Sequence, residues 1–385
     1  MPSSAVIHSR GAERWRSGHP WIYQSDVLSV DADPGDLVEV KSERGRPLGR
    51  AFFSSTSQIT LRMLGEGPRD ERALFAERLE AAMAYRTRVA QGAQAYRLVN
   101  AEADRIPSLI VDRYGDVLVV QTLSQGTDAR LDLFIDLLQT LVKPAGILVR
   151  NDPKVRALEG LESVVEVRAG TVPDLVDVVE GDIAYQVDVR HGQKTGLFLD
   201  QRENHLVAGA YASGRGLDAF SYHGGFALQM ARHCDSVLAL DGSEPAIAAL
   251  SANAKRNGLS NVEARVANVF DELRELEISK AKFDTIVLDP PAFAKTKASL
   301  PKALGGYKEI NLRALKLLRP GGILISCTCS YHVSEPLFLE VLERAAADAL
   351  APVVLVEKRL QARDHPVLLG VPETAYLKCL VLRRL

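Results

Sequence analysis

The C-terminal half of this chain alternates apolar, strand-like segments with segments of helical patterning. The strand patterns cover residues 216–220, 237–240, 262–266, 285–288 and 323–327. Regular alternation of this kind predicts an α/β fold with a doubly wound, parallel sheet. Open sheets of this class bind ligands at the carboxyl ends of their strands. The residues that directly follow each strand are therefore the first candidates for a functional site.

Glycines and acidic residues around the first two strands suit a nucleoside cofactor. Gly224 and Gly225 lie in the turn after the first strand, where the backbone can approach a ligand closely. Asp241 ends the second strand, twenty-three residues after Asp218, and an acidic residue there suits ribose hydroxyls. Because the turn lacks the G-x-G-x-x-G phosphate cradle, the pattern fits a cofactor without phosphate, such as S-adenosylmethionine (SAM). The alternative is an ordinary strand-to-helix turn with a capping aspartate.

The strand ends together supply one set of candidates for cofactor binding. These are Asp218, Phe220, Tyr222, Gly224, Gly225, Asp241, Asn268, Asp289 and Pro290. Within this set the amide of Asn268 is either a partner for the adenine edge or a turn-forming residue. The missing dinucleotide pattern also disfavours a nicotinamide-dependent dehydrogenase.

Cys329 and Asp289 follow two further strands and predict a specific chemistry. Methylation of a pyrimidine at C5 needs a thiolate that adds to C6 and an acid near N3. We therefore expect Cys329 to be the nucleophile and Asp289 to contact N3 and the exocyclic amine. The sequence Asp289-Pro290-Pro291 alone is ambiguous, because amino-methyltransferases use an Asp/Asn-Pro-Pro-aromatic motif, whereas Ala292 follows the prolines in this chain.

The other three cysteines have surroundings that predict positions in the core. Cys327 lies within the last strand pattern, Cys234 at the end of a helix, and Cys379 in the apolar segment 376–382. Four cysteines in 385 residues do not indicate a disulfide framework, and the spacing of Cys327 and Cys329 is too short for a zinc knuckle. We therefore expect no metal site and a reducing, cytoplasmic location.

Two blocks precede the alternating region. Residues 1–70 contain short strand-like segments punctuated by Gly and Pro, which predicts a small β-barrel. Residues 71–184 begin with a helical pattern and continue with strands and one helix from about Asp128 to Leu141, which predicts a small α+β domain. Together with the alternating region at 185–385, the chain is expected to form three domains.

Basic and aromatic residues are interleaved in the first block. The candidates for RNA contact are Arg14, Arg16, His19, Trp21 and Arg46. Basic side chains bind phosphates and aromatic rings stack on unpaired bases, although a solvated face with core tryptophans is the alternative. A net charge of −2 excludes a globally basic nucleic-acid binder, so RNA contacts would depend on local patches. We expect no signal peptide and no membrane span.

The chain closely resembles the ribosomal RNA large-subunit methyltransferase I family. Its members are SAM-dependent enzymes that make 5-methylcytosine in large-subunit ribosomal RNA. The resemblance covers nearly the whole chain. Its markers are the segments 17–23, 191–202, 220–226, 289–293, 328–330 and 364–367. Several long markers in the same order are more specific than any one of them.

The resemblance implies an N-terminal PUA domain, which is a small RNA-associated barrel, and a middle α+β domain. It implies a C-terminal class I methyltransferase domain with a Rossmann-like, mostly parallel, seven-stranded sheet. It further implies a homodimer that acts on large-subunit (23S) ribosomal RNA. Lys194, Asp200, Gln201 and Arg202 would help shape the SAM pocket, and Cys329 matches the family's proposed nucleophile.

Two positions depart from related enzymes. Many RNA cytosine-5 methyltransferases carry a second cysteine directly after their Asp-x-Pro motif, which assists product release, but Ala292 stands there in this chain. The release base is therefore unassigned, and His365 is either a candidate or a structural histidine. Cys327 stands where the family often has an apolar residue. The sequence predicts an RNA cytosine-5 methyltransferase, with an amino-methyltransferase and a non-catalytic RNA-binding ribosome assembly factor as the alternatives.

Overall fold

A computed structural model of the chain describes residues 3–65, 70–294 and 296–385. Its backbone contacts divide the chain into two compact units. Unit 1 comprises Met1–Val178, Val187–Leu199 and Arg363–Thr374. Unit 2 comprises Val179–Gln186, Asp200–Ala362 and Ala375–Leu385.

Six strands near the N-terminus form the first sheet of unit 1. They are β1 (Ser4–Ile7), β2 (Trp21–Tyr23), β3 (Val27–Asp31), β4 (Leu37–Ser42), β5 (Pro47–Phe53) and β6 (Ile59–Gly65), with helix α1 (Ser9–Arg16) after β1. The strand order is β2-β6-β5-β4-β1-β3. Alternate residues such as Val38 and Val40 of β4 face a buried apolar core, because side chains along a strand alternate between its two faces.

A five-stranded sheet forms the second part of unit 1, in the order β11-β10-β9-β8-β7. Its elements are α2 (Glu71–Val89), β7 (Ala95–Asn100), β8 (Leu109–Tyr114), β9 (Val117–Thr122), α3 (Gln125–Asp128), α4 (Leu131–Leu141), β10 (Gly146–Asn151) and β11 (Val164–Gly170). The predicted hairpin is confirmed, since Tyr114 pairs with Val117 across a two-residue turn.

The helix expected from about Asp128 to Leu141 is found as α4, which begins three residues later at Leu131 and is preceded by the short helix α3. The backbone leaves the helical conformation at Arg130, whose φ and ψ are −112° and 15°. The guanidinium of Arg130 donates to the carbonyl oxygens of Gly126 (3.0 Å) and Gly35 (2.7 Å). The bond to Gly126 satisfies a carbonyl group at the end of α3, and the bond to Gly35 connects the break to a distant part of the chain.

Seven strands form the sheet of unit 2, in the order β16-β15-β14-β17-β18-β20-β19. After the hairpin strands β12 (Val176–Glu180) and β13 (Ile183–Val187), the elements are α5 (Arg202–Tyr211), β14 (Arg215–Ala219), α6 (Gly225–Ala231), β15 (Ser236–Asp241), α7 (Glu244–Arg256), β16 (Val262–Val266), α8 (Val269–Ile278), β17 (Phe283–Leu288), α9 (Leu300–Leu317), β18 (Leu318–Thr328), α10 (Glu335–Asp348), β19 (Val353–Arg359) and β20 (Lys378–Arg384). The predicted α/β class and mostly parallel sheet are confirmed.

Only the last strand interrupts the parallel pairing of this sheet. β20 lies between β18 and β19 and runs antiparallel to both. The core on the two faces of the sheet includes Leu217, Ile286 and Leu324, whose side chains are fully buried. Strands that are buried on both faces read as continuous apolar runs, which explains the sequence pattern. Among the described residues, no helix is long and apolar enough to cross a membrane.

Candidate active site

Strand register brings the predicted site residues to one edge of the sheet in unit 2. Ala219, the last residue of β14, pairs with Leu240 on one side and with Leu288 on the other, and Leu288 pairs with Ser326 of β18. The residues that follow these positions in sequence are therefore neighbours at the carboxyl edge. β18 continues two residues past Ser326, to Thr328, because it pairs there with β20.

The turn after β14 has an unusual backbone that shapes a concave edge. Phe220, Tyr222 and Gly224 all have positive φ angles, of 69°, 47° and 94°. The backbone N–H groups of Phe220 and Ser221 both donate to the carbonyl oxygen of Leu240, at 2.9 Å. Left-handed conformations cost energy for residues other than glycine and cluster at ligand sites. The turn is consistent with the predicted cofactor site.

Asp241 holds this turn through both of its carboxylate oxygens. Oδ2 accepts a hydrogen bond from the backbone N–H of Tyr222 (2.9 Å), and Oδ1 accepts one from Ser243 (2.8 Å). Each oxygen can accept a further hydrogen bond, and the side chain is half-buried. Asp241 can thus present two acceptors to the hydroxyl groups of a ribose.

Asp218 lies beneath the turn as a fully buried carboxyl group. Oδ2 accepts from the backbone N–H of Ala227 (2.9 Å), whereas Oδ1 has no hydrogen-bond partner among the described residues. Burial raises the pKa of Asp218 to about 8, and the nearby Asp289 carboxylate raises it further. A buried acceptor without a partner is costly, so this oxygen suits a ligand's cationic amino group. The residues present therefore fit the amino-acid part of SAM.

A buried histidine and glutamate support the same region from beneath. Nδ1 of His205, on α5, lies 2.8 Å from Oε1 of Glu180. Burial lowers the pKa of His205, but the Glu180, Asp289 and Asp218 carboxylates outweigh it and leave the pKa raised. The pKa of His223 falls to about 3 because it is buried and lies near His205. His223 is therefore neutral at physiological pH.

Gly225 is required for packing, in addition to any approach to the cofactor. A Cβ atom at this position would lie 2.4 Å from Cε1 and 2.5 Å from Nε2 of His205, whose ring is held by Glu180. We expect Gly225→Ala to lower the free energy of unfolding by about 1 to 3 kcal/mol, since the buried ring has to shift. Urea denaturation of the purified protein measures the loss.

Gly305→Ala is the matched control for Gly225→Ala. Gly305 lies in α9, and no atom would come within 4 Å of a Cβ there. Alanine should therefore leave stability unchanged or raise it by up to about 1 kcal/mol. Equal stabilities of Gly225→Ala and the wild type would contradict the steric explanation.

Asp289 follows β17 at the centre of the carboxyl edge. Its backbone N–H donates to the carbonyl oxygen of Ala219 (3.4 Å), its side chain is half-buried, and Pro290 behind it is buried. An aromatic cluster continues from this loop, with ring centroids of Phe293 and Tyr307 4.7 Å apart and those of Phe293 and Phe270 5.9 Å apart. A carboxylate thus lies beside an apolar wall suited to a planar ring.

The loop that carries Cys329 is fixed on both sides of the thiol. The hydroxyl of Thr328 donates to the Tyr307 phenol oxygen (2.8 Å), and the phenol lies 2.9 Å from Oγ of Ser330. Oγ of Ser330 also accepts from the backbone N–H of Ala294 (3.1 Å), in the loop that follows Asp289. The two loops predicted to carry the chemistry are therefore connected.

Cys329 is the only one of the four cysteines that is not buried. Cys327 and Cys379 face each other across β18 and β20, and both are buried, as is Cys234. Burial raises the pKa of the Cys327 thiol well above its usual value, and Cys379 adds to the rise. The predicted core positions are confirmed, and Cys329 is half-buried.

Three residues expected to shape the cofactor pocket are buried at the start of α5 in unit 2. Tyr376 donates its hydroxyl to Oδ2 of Asp200 (2.7 Å), and Asn204 donates to Oε1 of Gln201 (2.7 Å). Arg202 follows, and all three are at most 7% exposed. Gln201 also contacts Cys327 of β18, which places the start of α5 beside the carboxyl edge.

Three other candidates have different settings. Lys194 belongs to unit 1, where it is exposed and its ammonium lies 4.4 Å from the ring centroid of Phe198. His365 also belongs to unit 1 and is buried, with Nδ1 3.2 Å from Oδ1 of Asp364. Asn268 caps α8, since its Oδ1 accepts from the backbone N–H of Phe270 (3.0 Å). Roles for these three in the reaction stay predictions.

The candidates for RNA contact are all in unit 1, and they differ in exposure. Arg14 binds the buried Asp26 carboxylate, and Trp21 donates its indole N–H to Glu102 (3.0 Å). Burial lowers the pKa of His19, although Glu373 opposes the shift. Arg16 and Arg46 are exposed. Arg14 and Trp21 are thus partly committed to the protein, whereas Arg16 and Arg46 are accessible to a ligand.

Lys378 and Tyr307 lie beside Cys329, but the sequence reasoning did not select them. The segment 376–382 was assigned to the core because it is apolar, and a lysine inside it was the available signal. Tyr307 carries no such signal, because a tyrosine on a helical stripe reads as core. Across the described ranges, no group of three or more His, Cys, Asp and Glu side chains is arranged to hold a metal ion.

Two family models match the chain. One is described as a PUA-like domain and matches residues 6–65. The other is described as an S-adenosylmethionine-dependent methyltransferase and matches residues 148–383. The second match covers the seven-stranded sheet except the last residue of β20, and it includes the residues at the carboxyl edge.

Curated proteins and solved structures agree with these matches. Proteins named ribosomal RNA large subunit methyltransferase I are 40% identical in Aeromonas hydrophila (95% of each chain) and 37% identical in Shigella boydii serotype 18 (94% of each chain). A protein of Streptococcus mutans described as a SAM-dependent methyltransferase has a TM-score of 0.84 at 20% identity over both full chains. A methyltransferase complexed with SAH has a TM-score of 0.86 at 21% identity over both full chains. The two structural likenesses show the fold.

Proposed function

The chain belongs to the SAM-dependent methyltransferases of the ribosomal RNA large subunit methyltransferase I family, and we propose that it forms 5-methylcytosine in large-subunit (23S) ribosomal RNA. The observation that carries the proposal is Cys329, a half-buried cysteine on a fixed loop at the carboxyl edge of the sheet. The relatives' names support the ribosomal substrate. The PUA-like match at residues 6–65 supports RNA binding.

Cys329 acts as the nucleophile in the proposed reaction. Its thiolate forms a bond to C6 of the cytosine, and the C5–C6 electron pair becomes available at C5. SAM, when bound, supplies the methyl group that C5 receives. A base then removes the C5 proton, the C5–C6 double bond forms again, and the sulfur leaves as thiolate. If the target cytosine is paired, it has to be flipped out of its helix to reach the sulfur.

The other residues of the carboxyl edge bind and orient the cytosine and SAM. Asp289 acts as the acid that donates a proton to N3, where negative charge develops when the thiolate adds, and it also contacts the exocyclic amine. Asp241 binds the ribose of SAM, Asp218 binds its amino group, and Asn268 is available at the adenine edge. The proposed pocket also includes the start of α5, and Lys194 is a candidate for cofactor binding on the basis of the family resemblance. The base that removes the C5 proton is not assigned, since Ala292 is not ionisable and His365 is buried beside Asp364.

Product analysis tests the proposal against both alternatives. The wild-type protein is incubated with labelled SAM and unmodified large-subunit ribosomal RNA, and the digested nucleosides are identified by mass spectrometry. We expect 5-methylcytidine. A methyl group on the exocyclic nitrogen would instead assign Asp289-Pro290-Pro291 to an amino-methyltransferase. RNA binding without any methyl transfer would favour a non-catalytic assembly factor.

Exposed arginines of unit 1 give a separate test of RNA binding. We expect Arg16→Gln and Arg46→Gln each to weaken RNA binding and to reduce the slope of log affinity against log salt by about 1, since each removes one phosphate contact. Binding isotherms at several salt concentrations measure the slope. Arg168→Gln is the matched control, because Arg168 is already paired with Asp132 and Glu166. An unchanged slope in both test variants would contradict the proposed contacts.

Three further features belong to the same proposal. The domains at 1–70, 71–184 and 185–385 follow the changes of sequence pattern, and the family models at 6–65 and 148–383 support the outer two. A homodimer in the cytoplasm is supported by the family resemblance. Light scattering of the purified protein tests the dimer, and a mass equal to one 42.0 kDa chain would contradict it.

A further inference from the structure

We propose that Lys378 is a positioning residue that keeps Cys329 in its reactive thiolate form. Its place in the reaction rests on the proposed function, but its effect on the thiol can be measured separately. Lys378 is the first residue of β20 and pairs directly with Thr328, the last residue of β18. Cys329 is the next residue after Thr328. The pairing of two strands therefore places the lysine opposite the start of the nucleophile's loop.

The side chain of Lys378 contacts the same loop on the other side of Cys329. Its Nζ donates to the carbonyl oxygen of Ser330 (3.3 Å) and to that of Tyr376 (3.2 Å). Backbone pairing at Thr328 and the side-chain bond at Ser330 bracket Cys329 in sequence. The ammonium is consequently held within electrostatic reach of the sulfur.

Lys378 is an unusual residue for this position, because only 7% of its surface is exposed. Lysines are rarely buried without a partner, and an ammonium that leaves water needs compensation. No carboxylate lies within 4.0 Å of its Nζ among the residues that the structure describes, and its two acceptors are neutral carbonyls. A thiolate at Cys329 supplies the missing negative charge.

The other charged and titratable groups near Lys378 do not replace its pairing with the Cys329 thiolate. Glu335, at the start of α10, attracts Lys378 but is itself bound to Lys358 at 2.6 Å. The Tyr307 phenol of α9 is engaged by Thr328 and Ser330. The Asp289 carboxylate raises the pKa of the buried Cys327, whereas the pKa shift of Lys378 has other causes. Burial lowers the pKa of Lys378, and Cys329 and Glu335 oppose the shift.

The chemical consequence concerns the fraction of Cys329 that can attack. Only the thiolate is nucleophilic, and a neighbouring lysine lowers the pKa of a thiol below its ordinary value of about 8.5. Below the thiol pKa, each unit by which the pKa falls gives about ten times more thiolate. A purely structural lysine would hold the loop but would leave the thiol's titration unchanged.

The test is alkylation of Cys329 by iodoacetamide over a range of pH, without RNA or SAM. Tandem mass spectrometry, which locates the alkylated residue within the peptide that holds both Cys327 and Cys329, identifies modification of Cys329, and the pH dependence of the rate gives the thiol pKa. We expect a wild-type value below about 8.5 and an increase of at least about one unit in Lys378→Met. Lys378→Arg should restore most of the shift, because it returns a positive charge.

Lys316→Met is the matched control and should behave as the wild type. Lys316 lies in α9 next to the opposite end of β18, where it binds Glu277 at 2.7 Å. A wild-type thiol pKa at or above about 8.5 overturns the proposal even if Lys378→Met fails to fold. A folded Lys378→Met protein with an unchanged thiol pKa also overturns it.

The outcome for Lys378 is distinguishable from that for the proposed function. A lowered thiol pKa that depends on Lys378 supports the inference whether or not 5-methylcytidine is formed. If the lysine effect is present but the RNA product carries its methyl group on nitrogen, the cytosine-5 proposal fails alone. If 5-methylcytidine is formed and the pKa of the Cys329 thiol is the same with and without Lys378, only the positioning role of Lys378 is rejected.

Discussion

Cys329→Ala is expected to reduce the formation of 5-methylcytidine by about 10⁴-fold or more, while the protein remains folded and binds SAM. Without the sulfur no bond to C6 can form, and C5 of the cytosine stays too poor a nucleophile to accept the methyl group. Rates of transfer of labelled methyl to unmodified ribosomal RNA, with analysis of the product nucleoside, measure the loss.

Cys327→Ala is the matched control for this experiment. Cys327 lies two residues away but is fully buried against β20. The Cys327→Ala protein should therefore retain activity at some cost in stability. RNA that carries 5-fluorocytosine adds a second readout, because fluorine at C5 prevents proton removal and the covalent adduct should persist. Full activity of Cys329→Ala, or an adduct that fragmentation of the peptide locates on a residue other than Cys329, would refute the assignment.

Asp241→Ala is expected to weaken SAM binding by about 50-fold or more. The substitution removes two acceptors for ribose hydroxyls, and hydrogen bonds to a charged group contribute about 1.5 to 3 kcal/mol each. It also removes the bonds from Tyr222 and Ser243 that hold the turn after β14. Isothermal titration calorimetry with SAM measures the affinity. The affinity of Asp241→Asn for SAM should lie between those of the wild type and Asp241→Ala.

Asp235→Ala provides the control from the same strand. Asp235 is exposed and directly precedes β15, whereas Asp241 is the last residue of β15. The two carboxylates therefore lie at opposite ends of the same strand. SAM affinity should be unchanged in Asp235→Ala. If Asp241→Ala binds SAM as tightly as the wild type, the cofactor site has to be assigned to a different strand end.

Sequence patterns predicted the parts of the site that depend on strand ends. Asp241, Asp289 and Cys329 each follow or end an apolar run, whereas Asp218 lies one residue before the end of β14, and the rule that ligands bind at carboxyl ends predicted that they lie together. The strand limits of 262–266 were reproduced by β16. The ends of β15 and β17 are predictable because burial on both faces of these strands leaves a continuous apolar signal along the chain.

Features that depend on contacts distant in sequence could not be predicted in this way. Lys378 meets Cys329 only because β20 inserts beside β18, and nothing local in the sequence states that strand order. Arg130, at the break between α3 and α4, donates a hydrogen bond to Gly35, which is 95 residues away. The restriction on Gly225 comes from the His205 ring on another helix.

The position of β20 has a consequence for the order in which the protein can fold during synthesis. β19 has no partner in the sheet except β20, and β18 gains its second neighbour only when residues 378–384 are present. A nascent chain that has been made through β19 therefore has an open sheet edge at β18 and lacks the contact of Lys378 with the thiol's loop. That contact forms only after the last strand of the sheet has been translated, so completion of the candidate site coincides with closure of the sheet.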